Sequence, residues 1–297
     1  MFISRVSIVV SFILGLILLG NVVGSSFAEE NYNPHINPSD FTTEITNKYF
    51  SLPVGKKMIY EAQTNDGLEK IEIQIFNKTK TIMGVTTLLY GDKVWLNGQL
   101  HEDTKDWLAQ DNNGNVWYFG EEVNNYEGGK LKDHAGSWIA GENGALPGIW
   151  IKANQKLGDS YRQEYYKGKA EDMRDVISIN ETVKTKRVTY TGCVKVYDWT
   201  PLDPKSKEHK YYCPEVGALV LNEHLVQGKR TELVNVIQSQ VSPDGKDNDD
   251  TSTADDDNDK NWPFIISVGI IITLLVGIVI SKQKNISKLL GKESSKK

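Results

Sequence analysis

Long uncharged apolar segments stand at the two ends of this chain and nowhere between them, and this arrangement constrains the fold most strongly. Residues 6–23 follow Arg5, and residues 262–280 are followed closely by lysines. The 19 residues of the second segment would span roughly 28 Å as a helix, close to the ~30 Å hydrocarbon core of a bilayer. We therefore expect a transmembrane helix over 262–281 that anchors the preceding part of the chain.

The first apolar segment has the parts of a secretory signal peptide over residues 1–28. A basic residue precedes the apolar run, and the small residues Ser26 and Ala28 suit cleavage before Glu29. No cysteine lies near this point, which excludes a lipid-modified amino-terminal cysteine. The run is long for a signal, so an uncleaved membrane anchor is the alternative interpretation.

Charge gives the orientation of the anchor. The tail at 282–297 carries six lysines against one glutamate, and basic residues stay on the cytoplasmic side of a membrane. Residues 241–261 carry eight aspartates and two lysines with almost no apolar side chains, which is typical of an acidic disordered linker. A calcium loop is the alternative there, although the glycine and glutamate of an EF-hand are missing. We predict a single-pass cell-membrane protein with its amino-terminal domain outside and its carboxyl terminus in the cytoplasm.

The domain at 29–240 has the pattern of an all-β fold. Apolar side chains alternate with polar ones, most plainly at 70–75, and no long helical period is present. Asn-Gly and Asp-Gly turns at 65–67, 97–98 and 112–114 separate these runs. We expect a single antiparallel meander of roughly ten strands, barrel-like or a sandwich. Residues 128–169 are rich in glycine and predict long loops, which would hold a functional site or plug one face of a sheet.

Two cysteines in an exported domain favour a disulfide between Cys193 and Cys213. If they face each other in a hairpin, paired residue numbers sum to 406, which sets Lys195 opposite Tyr211. The turn would then centre on Asp203. Export also makes Asn77 and Asn180, each in an Asn-x-Thr pattern, candidate glycosylation sites.

Several functions are excluded or unsupported. The net charge of −5 and the absence of a basic patch make nucleic acid an unsuitable partner. No two histidines have metal-ligand spacing, and no nucleophile elbow or phosphate-binding glycine loop occurs. We therefore predict no catalytic residue, no metal and no cofactor.

Aromatic and charged residues concentrate between residues 95 and 166, where five of the seven tryptophans lie. Flat rings flanked by polar side chains are suited to binding carbohydrate or another component of the cell envelope. The alternative is that these rings only form strand pairs and core. The candidate ligand-binding residues are Trp107, Asp111, Trp117, Tyr118, Arg162, Glu164 and Tyr165.

Five sequence motifs stand out in the domain: YFSLPVG at 49–55, DWLAQD at 106–111, GNVWYFGE at 114–121, GALPGI at 144–149 and YRQEYYKGKAED at 161–172. They are similar to motifs of a widespread, uncharacterised family of exported prokaryotic β-rich proteins. The resemblance covers roughly residues 41–237 and implies an exported surface protein, with no catalytic residue to carry over.

Three functional hypotheses follow from the sequence. The first is a membrane-anchored binding or envelope-interaction module. The second is a membrane-tethered hydrolase of envelope carbohydrate, with an acid and a base drawn from pairs such as Glu102 and Asp106 or Glu171 and Asp172. The third is an anchored spacer with no small ligand.

Overall fold

The structure is a computed structural model, and it describes residues 32–238. The predicted signal at 1–28, linker at 241–261, transmembrane helix at 262–281 and tail at 282–297 lie outside the described residues. Within residues 32–238, no helix is long and apolar enough to cross a bilayer. All the elements below belong to one compact unit that begins at Pro34.

The described part of the chain consists of strands and one 3-10 turn at Pro38–Asp40, so the all-β prediction is confirmed. The strands are β1 (Phe41–Thr42), β2 (Thr46–Asn47), β3 (Phe50–Ser51), β4 (Lys56–Thr64), β5 (Gly67–Ile82), β6 (Val85–Leu96), β7 (Gln99–Asp111), β8 (Val116–Glu127), β9 (Lys130–Asp133), β10 (Trp138–Ile139), β11 (Leu146–Ile151), β12 (Ser160–Arg162), β13 (Glu164–Tyr165), β14 (Met173–Lys184), β15 (Thr189–Thr200), β16 (Asp203–Cys213), β17 (Ala218–His224) and β18 (Arg230–Gln238).

One antiparallel sheet contains almost all of these strands. Its order is β12-β14-β15-β16-β17-β18-β4-β5-β6-β7-β8-β11-β13. The meander β14–β18 is therefore joined to the meander β4–β8 by the pairing of β18 with β4. The two terminal strands, β12 and β13, are separated in sequence by Gln163 alone. The sheet therefore curls until its ends meet and is barrel-like. Residues 128–169 supply five short strands, β9–β13, where the sequence predicts loops, and these strands bring the ends of the sheet together.

The interior of this sheet is apolar at one end and charged at the other. The alternation at 70–75 points Ile71, Ile73 and Ile75 inward, where each is buried. Because consecutive strands run in opposite directions, the hairpins at 83–84 and 214–217 lie at the same end of the sheet. The buried side chains of Phe50 and Leu52 fill the interior at this end. The hairpins at 65–66, 97–98 and 201–202 lie at the opposite end, where the inward side chains are carboxylates and their partners.

Lys56 closes the apolar end without a carboxylate partner in the described structure. Its Nζ donates hydrogen bonds to the carbonyl oxygens of Ser51, Val216 and Gly217 at 2.7, 3.0 and 3.0 Å. Burial lowers the pKa of Lys56 to about 8. The ammonium thus ties the β2–β3 segment to the turn between β16 and β17.

The predicted disulfide and its register are confirmed. Cys193 and Cys213 are bonded, and Lys195 lies opposite Tyr211. The turn differs from the prediction, because the register shifts after Trp199 and the chain reverses at Pro201 and Leu202 rather than at Asp203. A bulge that includes Pro204, which has no N–H to donate, absorbs the extra residues of β16.

Replacing both cysteines with alanine is expected to lower the free energy of unfolding by about 3 kcal/mol, because the bond closes a loop with a sequence separation of 20. Urea denaturation of the oxidised protein and of the variant measures the difference. Reductant should destabilise the parent protein by a similar amount and leave the variant unchanged. Equal stability of the two proteins would contradict this role.

The two candidate glycosylation sites are accessible in the structure. Asn77 lies on β5 and Asn180 on β14, and both side chains are exposed. Modification of either asparagine remains a prediction.

Candidate functional site

Six carboxylates surround an internal cavity of about 40 Å³ at the charged end of the sheet. Four of them are buried and two are half-buried. Thr104, Tyr118, Trp150, Gln163 and Lys210 complete the lining. We call this cavity the acidic chamber, and its carboxylates are Asp92, Glu102, Asp106, Glu121, Glu164 and Asp172.

Strand pairing brings the first three carboxylates together. On β6 and β7 the inward positions are the even-numbered ones, and the register places Asp92 opposite Thr104 and Tyr90 opposite Asp106. Glu102 points inward for the same reason, two residues before Thr104. Side chains at alternate positions share one face of a strand, so Glu102, Thr104 and Asp106 all line the same cavity.

A bulge at Gly120 adds Glu121 to the chamber. Tyr118 lies opposite Leu108, whereas Glu121 lies opposite Asp106, so three residues of β8 match two of β7. The inward positions of β8 therefore change from even to odd numbers at this point. Gly120 has φ of +136°, and a Cβ there would lie 2.4 Å from the carbonyl oxygen of Trp138. Only glycine fits this position without a shift of the backbone.

Replacing Gly120 with alanine is expected to lower the free energy of unfolding by roughly 1–3 kcal/mol, the usual range for backbone strain of this kind. Thermal or urea denaturation measures the loss. Gly128 is the matched control, because it also has positive φ but has open space where a Cβ would lie. A loss at Gly120 no larger than that at Gly128 would contradict the close approach of the Trp138 backbone.

The remaining two carboxylates come from the segment that closes the sheet. Glu164 belongs to β13, and Asp172 immediately precedes β14. Hydrogen bonds hold part of the chamber: the Tyr118 hydroxyl donates to Oδ1 of Asp106 at 2.5 Å, and the Thr104 hydroxyl donates to Oε1 of Glu102 at 2.9 Å. Oδ1 of Asp92 has no hydrogen-bond partner among the described residues, although this residue is 4% exposed.

Burial gives these carboxyls a strong affinity for protons. It raises the pKa of Asp106 and of Glu102 to about 7 and that of Asp172 to about 6. Burial, reinforced by neighbouring carboxylates, raises the pKa of Asp92 and Glu121 well above ordinary values. The pKa of Glu164 is raised in the same way. The charged form is disfavoured because the chamber offers too little water or positive charge to replace hydration.

The nearby cations are already engaged by other carboxylates. Lys210, the one cation among the lining residues, contacts Asp198 at 3.0 Å and Glu208 at 2.9 Å. Arg174 donates to both oxygens of Asp198 at 2.7 and 2.6 Å, and His224 contacts Glu208 at 2.5 Å. Despite burial, these neighbours hold the pKa of Asp198 and Glu208 below ordinary values. The six chamber carboxylates therefore remain largely without compensating charge.

The seven residues predicted to bind ligand do not form one site. Tyr118 and Glu164 line the chamber. Trp107 points to the outer face, where its indole donates to Glu122 at 3.1 Å beneath Lys80.

The other four predicted residues form two separate pairs. The Trp117 indole donates to Oδ2 of Asp111 at 2.8 Å. The Arg162 guanidinium lies over the Tyr165 ring, 4.6 Å from its centre. A shared aromatic platform is absent from this arrangement of the described residues.

The chamber draws on residues that the sequence interpretation treated differently. The sequence offers Glu102, Asp106 and Asp172 as candidates for the hydrolase hypothesis, whereas it does not single out Asp92 or Glu121. Alternation on β6 could have identified Asp92 as an inward residue, because it lies two residues from Tyr90 and from Val94, which both point inward and are buried. Within residues 32–238, no three His, Cys, Asp or Glu side chains are arranged to hold a metal ion.

Comparison with known proteins leaves the chain without an assigned family. No family model matches it, and no curated protein matches it. A crystal structure of a protein proposed to be a lipoprotein, from Parabacteroides distasonis ATCC 8503, is 14% identical. The match covers 64% of this chain and 98% of that chain with a TM-score of 0.35.

Proposed function

We propose that the chain is a membrane-anchored extracytoplasmic binding module and that the acidic chamber holds a positively charged ligand. The observation that carries the proposal is a set of six carboxylates around one cavity. Lys210 is the one cation among the lining residues, and it is already paired with Asp198 and Glu208. An ion-paired or protonated carboxylate is tolerated in a protein interior, whereas an unpaired charged one costs several kcal/mol. A bound cation would supply the missing charge.

The contrast between the two ends of the sheet supports a functional origin for this charge. Inward positions at the opposite end carry Leu88, Leu108 and Val194, which are buried and need no partner. The same packing would stabilise the charged end more than carboxylates do. Several destabilising side chains gathered in one cavity are typical of binding and catalytic sites.

The topology is compatible with a ligand arriving from outside the cell. Strand β18 ends at Gln238, opposite Lys56, at the apolar end of the sheet. The chain thus leaves the described domain from the end opposite the chamber. With the anchor predicted at 262–281, the connection to the membrane would begin at the end of the sheet opposite the chamber.

Native mass spectrometry of the full-length protein, purified gently from its own host, tests this function. We expect an adduct of defined mass that is absent from the Asp92→Asn variant, because Asp92 lines the chamber and its Oδ1 has no partner within residues 32–238. The variant Asp66→Asn, changed at an exposed turn, should retain the adduct. Bare protein in all three samples, with no binding in a screen of cationic compounds, would overturn the proposal.

A membrane-tethered hydrolase of envelope carbohydrate is the second candidate. It is favoured by Glu102 and Asp106, whose pKa of about 7 suits a general acid near neutral pH. The chamber, at about 40 Å³, is far smaller than the ~300–1,000 Å³ of usual ligand pockets, so this candidate needs an opening of the site. Release of reducing ends from host envelope carbohydrate, lost in Asp106→Asn, would establish it, and no release by the parent protein would exclude it.

A further inference from the structure

A lateral groove of about 220 Å³ adjoins the acidic chamber. Strand β10 forms part of it, with Trp138 paired to Glu121 of β8. Exposed or half-exposed groups line the rest, among them Glu122, Glu142 and Tyr166. We call this surface the Trp138 groove.

The groove and the chamber share a wall. Glu121 lines both spaces. Trp138 lines the groove and packs edge-on against Tyr118, which lines the chamber, with 5.2 Å between ring centres. These side chains therefore stand between a ligand in the groove and the interior carboxylates.

Carboxylates outnumber ammonium groups in the lining of the groove, as they do in the chamber. Glu121, Glu122 and Glu142 line it against Lys169 alone, and the Lys169 ammonium lies over the Tyr166 ring at 4.7 Å. Glu122 is paired with Lys80 at 3.0 Å. Carboxylates beside aromatic faces are the surroundings that alkylammonium groups prefer.

The interior already shows that it accepts an alkylammonium. Lys210 places its Nζ between Asp198 and Glu208 at 3.0 and 2.9 Å, next to the chamber. A metal ion would instead need several carboxylate oxygens at about 2.0–2.6 Å, and no three acidic side chains of the described residues are so arranged. An amine needs no such convergence, since one ammonium donates three separate hydrogen bonds.

Resting on the function proposed above, we propose that the ligand is a linear polyamine. It places one terminal ammonium among the chamber carboxylates beside Glu121, which lines both spaces, and its chain along the Trp138 groove. Polyamines carry several ammonium groups separated by short apolar spacers. Such a chain suits a chamber and a groove that are both lined by carboxylates and are divided by aromatic rings.

Calorimetric titration of the full-length protein in detergent with spermidine tests the inference. Saturable binding is expected, weakened at least ~10-fold in Glu121→Gln, since a charge-assisted hydrogen bond is lost. Glu142→Gln, exposed at the groove, should weaken binding less. Glu127→Gln, an equal charge change at an exposed position of β8, should alter affinity less than about twofold. Thermal denaturation should show Glu121→Gln folded and about as stable as the parent, because a neutral amide replaces a carboxyl whose ionisation burial disfavours.

Each other outcome overturns the inference. No saturable spermidine binding excludes a polyamine, and equal weakening in Glu121→Gln and Glu127→Gln shows general charge attraction. Tighter binding of Mg²⁺ than of spermidine, lost in Glu121→Gln, assigns the chamber to a metal. In that last case, or with a non-amine adduct in native mass spectrometry, the proposed binding function stands while the polyamine is excluded.

Discussion

Replacing Arg174 with methionine is expected to lower the free energy of unfolding by about 3–5 kcal/mol, the range for breaking a buried ion pair. Arg174 is fully buried, donates to both oxygens of Asp198 at 2.7 and 2.6 Å, and also donates to the hydroxyl of Tyr212 and the carbonyl of Trp150. Its loss leaves Asp198 with Lys210 as its remaining cation among the described residues. Urea denaturation measures the change.

A matched control separates this effect from the loss of any arginine. Arg230 makes ion pairs with Glu223 at 2.9 Å and Glu232 at 2.7 Å, but its side chain is 42% exposed. Arg230→Met should therefore cost less than about 1 kcal/mol. Adding Asp198→Leu to Arg174→Met should recover part of the loss, because no unpaired charge then remains at that position. Similar costs for the two arginines would contradict the buried network.

Stability is expected to fall as the pH rises from 5 to 8, by about 3 kcal/mol or more for the ligand-free protein. Asp106 and Glu102 have folded pKa values of about 7, and Asp172 of about 6, against ordinary values near 4. Below pH ~4 these carboxyls are protonated in both states. Between about pH 4 and its folded pKa, each group retains in the folded protein a proton that the unfolded chain releases, which costs about 1.4 kcal/mol of stability per pH unit.

The carboxylates that are paired with cations make stability depend on pH in the opposite direction. Asp198 and Glu208 have folded pKa values below their ordinary ones, so their contribution is lost as the pH falls below about 4. Maximum stability near pH 4–5 follows from the two trends. Urea denaturation across pH 3–8 measures the profile. In the double variant Asp106→Asn, Glu102→Gln, the loss of stability between pH 5 and 8 should be smaller. Stability that rises between pH 5 and 8 would contradict the account of the chamber.

Local patterns were sufficient to predict much of the sheet. The alternation at 70–75 correctly places Ile71, Ile73 and Ile75 in the interior, because a half-buried strand requires this period. The Asn-Gly turn at 97–98 lies between β6 and β7 as expected. The pairing of Cys193 with Cys213 fixed the register of β15 against β16 over several residues. In each case the controlling interaction lies within one strand or hairpin.

The chamber escaped prediction for two physical reasons. Glu121 points inward only because the bulge at Gly120 changes the phase of β8, and the positive φ of one glycine cannot be read from alternation. Glu164 reaches the cavity from the two-residue strand β13, which is too short to show a period, and Asp172 lies outside any strand, just before β14. Asp92 occupies an inward position where packing alone favours an apolar residue, which is the local conflict expected at a functional site.

The central claim, that the acidic chamber holds a cationic ligand, is tested most directly by a crystal structure of the protein purified from its host at neutral pH. We predict density for a ligand larger than water within hydrogen-bond distance of Oδ1 of Asp92 or of the Glu121 carboxylate. Ordered water alone, with carboxyl groups sharing protons through short oxygen–oxygen contacts, would contradict the claim. The chamber would then be a set of neutral acids that closes one end of the sheet.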